Sequence, residues 1–478
     1  MPSVNKKSMR EELDSLKSLF NEQLANGKMS SENQALFRAL LGLIEIMFAV
    51  FMEKTTRKTK DNSSIPSSQT EKDETTPPKK GANGKGPGQN DEVSSNTRTV
   101  EVIEILPVND CEYCGEDLSQ TPCETRERRT LIDIIFTRHE DHKDAEVKVC
   151  PKCKKQTKAT FPSSHQGPLQ YGPGIKAYML NLLIAQMVAL GRIQKMVKTL
   201  IGVVISEATI LKYVLQLHHA LEEWENSAIE QLMAMPTLHV DETSMRINKK
   251  NHWVHVCSGG DITLKWVHPK RGKEAIEDID IIPRYGGVII HDCWKSYLTY
   301  NNCRHGLCGS HLLRELTFIV DSNGYRWAAN MKALLQEMCH EVSQREEKRL
   351  TEEEYLNLQM RYRNILTQGE KELPPIPERQ KGKRGRLAKS DAHNLWERLK
   401  EYEHAVLLFA REPHVSFTNN RAERDLRMGK VKQKVSGCFR VELYAKAYCR
   451  ISSYLQTMNA KGYNPLVAIQ MALAGKVA

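Results

Sequence analysis

The chain has 478 residues, 40% of them hydrophobic, which suits two to four domains with sizeable cores. Its formal net charge of +10 fits a polyanionic partner, although many soluble proteins are equally basic. No secretory pattern opens the sequence. The longest apolar run, ALLGLIEIMFAVFM over residues 39–52, is interrupted by Glu45 and falls short of the ~20 residues of a membrane span. No membrane is therefore expected, and the twelve cysteines fit a reducing cytosol, free or holding metal.

Residues 1–55 read as helical. Leu36, Leu40, Leu43, Met47 and Val50 are spaced as a heptad seam, with Ser31 and Gln34 as a capping box at its start. An earlier seam, Met9, Leu13, Leu16 and Phe20, is out of phase with it, and Gly27 is expected to separate the two. Such a seam serves either a zipper between protomers or packing on its own domain. Residues 56–100 contain SSIPSSQTEKDETTPPKKGANGKGPGQ and cannot bury a core, so they read as a disordered linker.

Over residues 101–165, CEYC (Cys111, Cys114) and CPKC (Cys150, Cys153) are separated by thirty-five residues, of which RRTLIDIIFTRHEDHKDAEVKV, residues 128–149, reads as strands. Two CxxC knuckles can close a tetrahedral zinc site, and four protein ligands make such a site structural. A redox dithiol is the plainer alternative. Residues 166–232 turn strongly helical. A helix over 192–200, the turn IGVVI and a helix capped by Ser206 have helix-turn-helix form, with Arg192, Lys195 and Lys198 on the first helix. An ordinary helical hairpin fits as well.

From residue 233 onward, TLHVDETSMRI, NHWVHVCSG and ITLKWVHPKR read as a three-strand meander. The helix GKEAIEDIDII, a buried strand GGVIIHDCW and the helical segments KSYLTY and SHLLRELTFIVD follow. That order is the front half of a ribonuclease-H-like domain, a mixed sheet flanked by helices. Asp241 ends the apolar part of the first strand and Asp292 ends the fourth, and these two positions lie side by side in that fold. Crowded acids repel unless metal is present, and hard magnesium ions prefer carboxylate oxygens. Two such ions about 3.5–4 Å apart can activate an attacking oxygen and stabilise a leaving one. Glu242 and His291 compete as candidates beside the two aspartates.

Four motifs, HVDETSMRI, HPKRGKEA, GGVIIHDCWKSY and CRHGLCGSHLLREL, together with NNRAERDLRMGKVKQKVSGCFR, resemble the DDE transposases of the bacterial insertion-sequence-66 family. QYGPGIKA, the SEATI stretch and the upstream order of zipper, CxxC pairs and helix-turn-helix fit the same pattern. The resemblance implies that Asp241, Asp292 and Glu423, separated by 51 and 131 residues, bind Mg²⁺ or Mn²⁺ as the catalytic triad. The long second interval predicts a helical insertion at about 326–412 within a catalytic domain of residues 233–478. The resemblance also suggests a Cys-x-x-His signature, so Cys303, His305, Cys308 and His311 either hold a second metal or shape the site.

The implied activity is DNA transposition: binding of terminal inverted repeats, strand cleavage, then transfer of a 3′-hydroxyl to target DNA. The implied partners are those DNAs, further copies of the chain and element-encoded accessory proteins, in the bacterial cytoplasm and on the nucleoid when DNA is bound. No phosphate-loop motif occurs, in keeping with a reaction that needs no nucleotide. Arg421, Arg424, Arg427, Lys430, Lys432 and Lys434 are candidates for phosphate contacts. Among them, Glu423 and Asp425 lie some 200° apart on a helix, so Asp425 is expected to face away and pair with Arg421. KGKRGRLAK, residues 381–389, reads either as a DNA contact or as a solvated charge run. Two other functions keep parts of this pattern. A silent DNA-binding repressor needs no acids, and a nuclease on the same fold cuts without joining.

Overall fold

The computed structural model describes residues 6–26, 30–56, 58, 59, 62, 103–132, 137–376 and 389–477. Nearly all of the linker expected at 56–100 lies outside them, as does Gly27. By contacts the chain forms two compact units, residues 1–86 with 226–433, and residues 87–225 with 434–478.

The first unit begins with α1 (Lys6–Ala25) and α2 (Ser31–Thr55). The cap of α2 is Ser30, whose hydroxyl accepts from the Asn33 amide, so the expected Ser31 cap is displaced by one residue. Phe20 stacks on Phe37 at 6.1 Å, and Lys17 pairs with Glu45. Over residues 32–55, α2 is long and apolar enough to cross a membrane, a feature the run 39–52 alone understates. Its last turn is nevertheless packed in protein, where the buried Glu53 carboxylate accepts from Asp391 N (2.7 Å), Ala392 N (3.0 Å) and Asn323 Nδ2 (3.3 Å).

In the second unit, a small hairpin of β1 (Val147–Val149) and β2 (Gln156–Lys158) flanks the second CxxC pair. Among the described residues of 128–149, the expected strands reduce to β1. Residues 133–136 lie outside the description, and Leu131 and Ile132 are 94% and 90% exposed. Next come α3 (Pro173–Leu180), a π-turn over Asn181–Ala185, α4 (Leu190–Ile201) and α5 (Glu207–Ala220), followed by α6 (Glu222–Met233), whose residues from 226 onward belong to the first unit. The turn between α4 and α5 opens at Gly202, whose φ of 70° suits glycine. It closes at Ser206, whose hydroxyl accepts from Thr209 N.

The sheet of the first unit is built from β3 (Thr237–Ile247), β4 (Lys250–Gly259), β5 (Ile262–His268), β6 (Val288–His291) and β7 (Arg304–Leu307), in the order β5-β4-β3-β6-β7. The meander β3-β4-β5 is antiparallel, and β6 and β7 run parallel to β3. This mixed sheet with helices about it is compatible with the expected ribonuclease-H-like arrangement. β7 is an addition, because RHGL is too short and too polar to read as a strand. KSYLTY supplies only a 3-10 turn at Tyr297–Thr299.

Helix α7 (Lys273–Ile279) joins β5 to β6, and α8 (Gly309–Asn323) follows β7. Among the described residues, four helices occupy the interval read as an insertion: α9 (Arg326–Gln344), α10 (Glu352–Glu372), α11 (Asp391–Glu401) and α12 (Glu403–Arg411). Their apolar faces form one core with β6, β7 and α8, centred on Trp327, Leu335, Tyr362 and Leu407. Helix α13 (Asn420–Ser436) carries the NNRAERD motif. The last helices, α14 (Glu442–Ala460) and α15 (Pro465–Leu473), pack with α3 and α5 in the second unit. There Trp224 meets Tyr454 edge-on at 5.1 Å, and Arg450 pairs with Glu225 at 2.7 Å. The expected catalytic domain ran on to residue 478, whereas contacts group residues 434–478 with the α3–α5 region.

Candidate active site

The parallel pairing of β3 with β6 sets the site. Thr237, Leu238 and His239 lie opposite Val288, Ile289 and Ile290, a constant offset of 51. Continued by two residues, that register puts Asp241 beside Asp292, just beyond the end of β6. The turn after β6 is tight. Cys293 has a φ of 69°, a left-handed conformation uncommon for a residue with a side chain. Two bonds hold it: Cys293 N donates to His291 Nδ1 (3.1 Å) and Trp294 N donates to Asp292 Oδ1 (3.1 Å). Asp241 Oδ1 accepts from Glu242 N at 2.8 Å. Burial, followed by the charges of Glu242 and Asp292, drives the Asp241 carboxyl well above its ordinary range. A cation would relieve that crowding.

Glu423 arrives from the first turn of α13 and faces His311, with Oε1 3.6 Å from Nδ1. His311 lies one turn into α8. Burial opposes its charged form, yet Cys308, Glu423 and Asp292 outweigh it and raise the imidazole to about 9. Asp241 feels the His311 charge as well. All three acids thus act on one imidazole. Cys308 precedes α8, and burial pushes its thiol up. The hydrogen bond and charge of His311 and the Asn419 amide reverse this and bring it below its ordinary value. Among the described residues, Cys308, His311 and Glu423 are the one group of three or more potential ligands whose donor atoms all lie within 4.8 Å of one another.

The Cys/His motif therefore splits. His305 and Cys303 stand apart from this group. His291 Nδ1 accepts from Cys293 N, so its Nε2–H donates to His305 Nδ1 (3.1 Å), and His305 Nε2–H donates to the Tyr300 carbonyl (2.8 Å). Complete burial lowers His291 to about 3, so it is a neutral structural relay. Cys303 is buried, and burial raises its thiol to about 11. Glu242 is likewise occupied. Its buried carboxylate accepts from Arg271 Nε (2.8 Å), Arg271 Nη2 (2.6 Å) and the Tyr297 hydroxyl (2.6 Å). The Arg271 guanidinium lies between the rings of Trp253 and Trp294, at 4.9 and 4.4 Å.

Asn419, inside the quoted motif but given no role by it, joins the pieces. It is buried, its Nδ2 donates to Val240 O (2.8 Å), and its Oδ1 accepts from His239 Nδ1 (3.0 Å). Its backbone N donates to Cys308 Sγ at 3.1 Å, and its carbonyl accepts from Glu423 N. No sequence pattern marks such a residue, because His239, Val240 and Cys308, which it ties to α13, lie more than a hundred positions away.

Asp425 does point away from the three acids, but its work differs from the expected pairing. It accepts from the Ser258 hydroxyl (2.6 Å) and the Thr263 hydroxyl (3.1 Å), fastening α13 to β4 and β5. Its charge still favours that of Arg421, whose Nη2 donates to the Ile262 carbonyl. Lys430 is also engaged, donating to Ser244 O (2.5 Å) and Ser244 Oγ (2.9 Å). Lys432 is partly buried, and burial lowers its ammonium. Arg424, Arg427 and Lys434 are exposed.

In the second unit, Arg192, Lys195 and Lys198 share an exposed face of α4 opposite buried Ile193 and Val197. Both CxxC knuckles are formed. The backbone amides of Tyr113 and Cys114 lower the Cys111 thiol, and those of Cys153 and Lys152 lower Cys150, which favours the thiolate that binds metal. The four sulfurs are not drawn into one cluster among the described residues. Of the basic segment 381–389, only Lys389 is described, and it pairs with Glu397.

The family model described as transposase IS66 family matches residues 168–447, more than half of the chain and all three acids. No curated protein matches it. A transposase is an enzyme that acts on DNA, and enzymes of the DDE kind generally use divalent metals. The chain belongs to the IS66 family of transposases.

Proposed function

We propose that this transposase binds the terminal inverted repeats of its own element, cuts the DNA strand at the element end and joins the freed 3′-hydroxyl to target DNA. The observation that carries this reading is the β3–β6 register that sets Asp241 beside Asp292, together with Glu423 facing His311, whose charge acts on both aspartates. Those three carboxylates would hold Mg²⁺ or Mn²⁺, and the crowding that raises Asp241 supports a hard cation there. Such ions, when bound, would favour the attacking oxygen and the leaving oxygen of an in-line displacement. The chain's own part is positioning. Asn419 and the turn after β6 fix the acids, Arg271 and Tyr297 keep Glu242 out of the set, and exposed Arg424, Arg427 and Lys434 supply positive charge along α13. Water attacks the phosphodiester in the first step. In the second, the 3′-hydroxyl attacks a target phosphodiester, so one such bond replaces another and no nucleotide is consumed.

The exposed basic face of α4, its tight turn and capped α5 support a helix-turn-helix contact to DNA, where Arg192, Lys195 and Lys198 would meet phosphates. The amide-lined knuckles support zinc at Cys111, Cys114, Cys150 and Cys153, with the ion itself drawing the two pairs together. The α2 stripe supports pairing of protomers. The decisive experiment is strand cleavage and transfer in vitro with Mg²⁺ on a duplex carrying the element end. Asp241→Asn, Asp292→Asn and Glu423→Gln should each lose at least about 10²-fold in rate, the scale for removing one electrostatic stabiliser. Normal rates in all three would defeat the triad, and cut products never joined would favour the nuclease reading.

A further inference from the structure

The cluster at the start of α8 offers a sulfur, an imidazole nitrogen and a carboxylate oxygen, with all three donor atoms inside 4.8 Å. Ligands sharing one tetrahedral zinc ion lie about 3.3–3.8 Å apart, given bond lengths of roughly 2.0–2.3 Å. Closure by about an ångström therefore suffices. His311 Nδ1 and Glu423 Oε1 are buried and make no hydrogen bond among the described residues, although they face each other. Cys308 is 1% exposed, with its sulfur held by the Asn419 amide. Thiolate is a soft donor and imidazole a borderline one; Mg²⁺ avoids both and zinc takes both, whereas a carboxylate serves either ion. Three protein ligands leave one position open on a zinc ion.

We propose that Cys308, His311 and Glu423 form a zinc site that shares Glu423 with the Asp241–Asp292 pair, so that zinc bound there withdraws the third acid and switches strand cleavage off. This rests on the reading of Glu423 as a member of the triad. The two uses of Glu423 exclude one another, so Mg²⁺ and zinc compete although they prefer different donors. The site differs from the CxxC knuckles in holding only one sulfur and in lying on the catalytic unit.

The test uses the full chain and two readouts. The first is Co²⁺ binding followed by its thiolate charge-transfer absorption, which requires no catalysis. Wild type should take up one more equivalent than Cys308→Ser, and His311→Gln should match Cys308→Ser. The second is Zn²⁺ inhibition of Mg²⁺-supported cleavage, each variant normalised to its own rate without zinc. The half-inhibiting Zn²⁺ concentration should rise at least about tenfold in both variants, the scale for a weakened metal site. In wild type it should rise as Mg²⁺ is raised. Equal Co²⁺ uptake in all three proteins, or inhibition that Mg²⁺ does not relieve, overturns the site. If Glu423→Gln still cleaves in Mg²⁺ while Co²⁺ uptake depends on Cys308, the triad role of Glu423 fails, and the switch fails with it. Two variants guard against one misfolding, since the Co²⁺ readout needs only one of them folded.

Discussion

At the scale of single residues, the site shows how one acid is chosen over its neighbour. Asp241 and Glu242 are adjacent and both acidic, and nothing in HVDETSMRI separates them. The separation comes from Arg271 and Tyr297, 29 and 55 positions downstream, which occupy Glu242. Burial and the Asp292 charge push the Glu242 carboxyl up, and the hydroxyl and guanidinium pull it back. Removing Arg271 leaves a buried carboxylate facing only Tyr297. Arg271→Ala should therefore destabilise the fold by about 3 kcal/mol, the lower end for breaking a buried pair because the arginine reaches solvent. Arg271→Ala combined with Glu242→Gln should recover most of that loss. Urea unfolding of the single and double variants checks this, and simple additivity would argue against coupling. Asp292 was legible because the end of β6 follows from hydrophobic pattern, and Asp241 because the apolar run of β3 stops at it, although the strand itself continues to Ile247. Asn419 and Arg271 were not, because their value lies in contacts that only the folded chain creates.

At the scale of elements, the junction of β7 and α8 holds the site together. Gly309 N donates to the Phe417 carbonyl at 2.8 Å, and a Cβ at Gly309 would lie 2.2–2.5 Å from the Phe417 ring. The ring is itself fixed edge-on against Phe409, with centroids 4.7 Å apart. The segment clamped in this way leads through Asn419 into α13 and Glu423. Gly309→Ala should destabilise the protein by roughly 1–3 kcal/mol through overpacking. It should also lower cleavage more than thermal melting alone explains, because the ring must swing and carry Asn419 with it. An unchanged melting temperature would show that the ring yields freely. The meander, the buried fourth strand and the helix-rich interval were readable from period and composition. β7 escaped because four residues carry too little pattern, and α13 was placed while its fastening through Asp425 was not.

At the scale of the whole molecule, the heptad seam of α2 remains uncovered: Leu36, Leu40, Leu43 and Met47 are 67%, 53%, 53% and 64% exposed. Their spacing matches a second copy of the same helix. Leu40→Lys with Met47→Lys should convert a dimer to a monomer by light scattering coupled to size exclusion, with the Co²⁺ uptake unchanged. A monomeric wild type would defeat the zipper. The seam itself was legible from spacing. The partition of the chain was less so, because α14 and α15 read as a plain continuation of the catalytic helices, and only their buried faces show that they belong with α3 and α5. The same limit applies to distances along the chain. The interval of 51 between the two aspartates is the β3–β6 register and nothing else. The meander and α7 that fill it are a tether whose length is free. Relatives could lengthen or shorten that tether and keep the carboxylates side by side. Deleting one residue within β3 ahead of Asp241 would turn that carboxylate to the opposite face of the sheet.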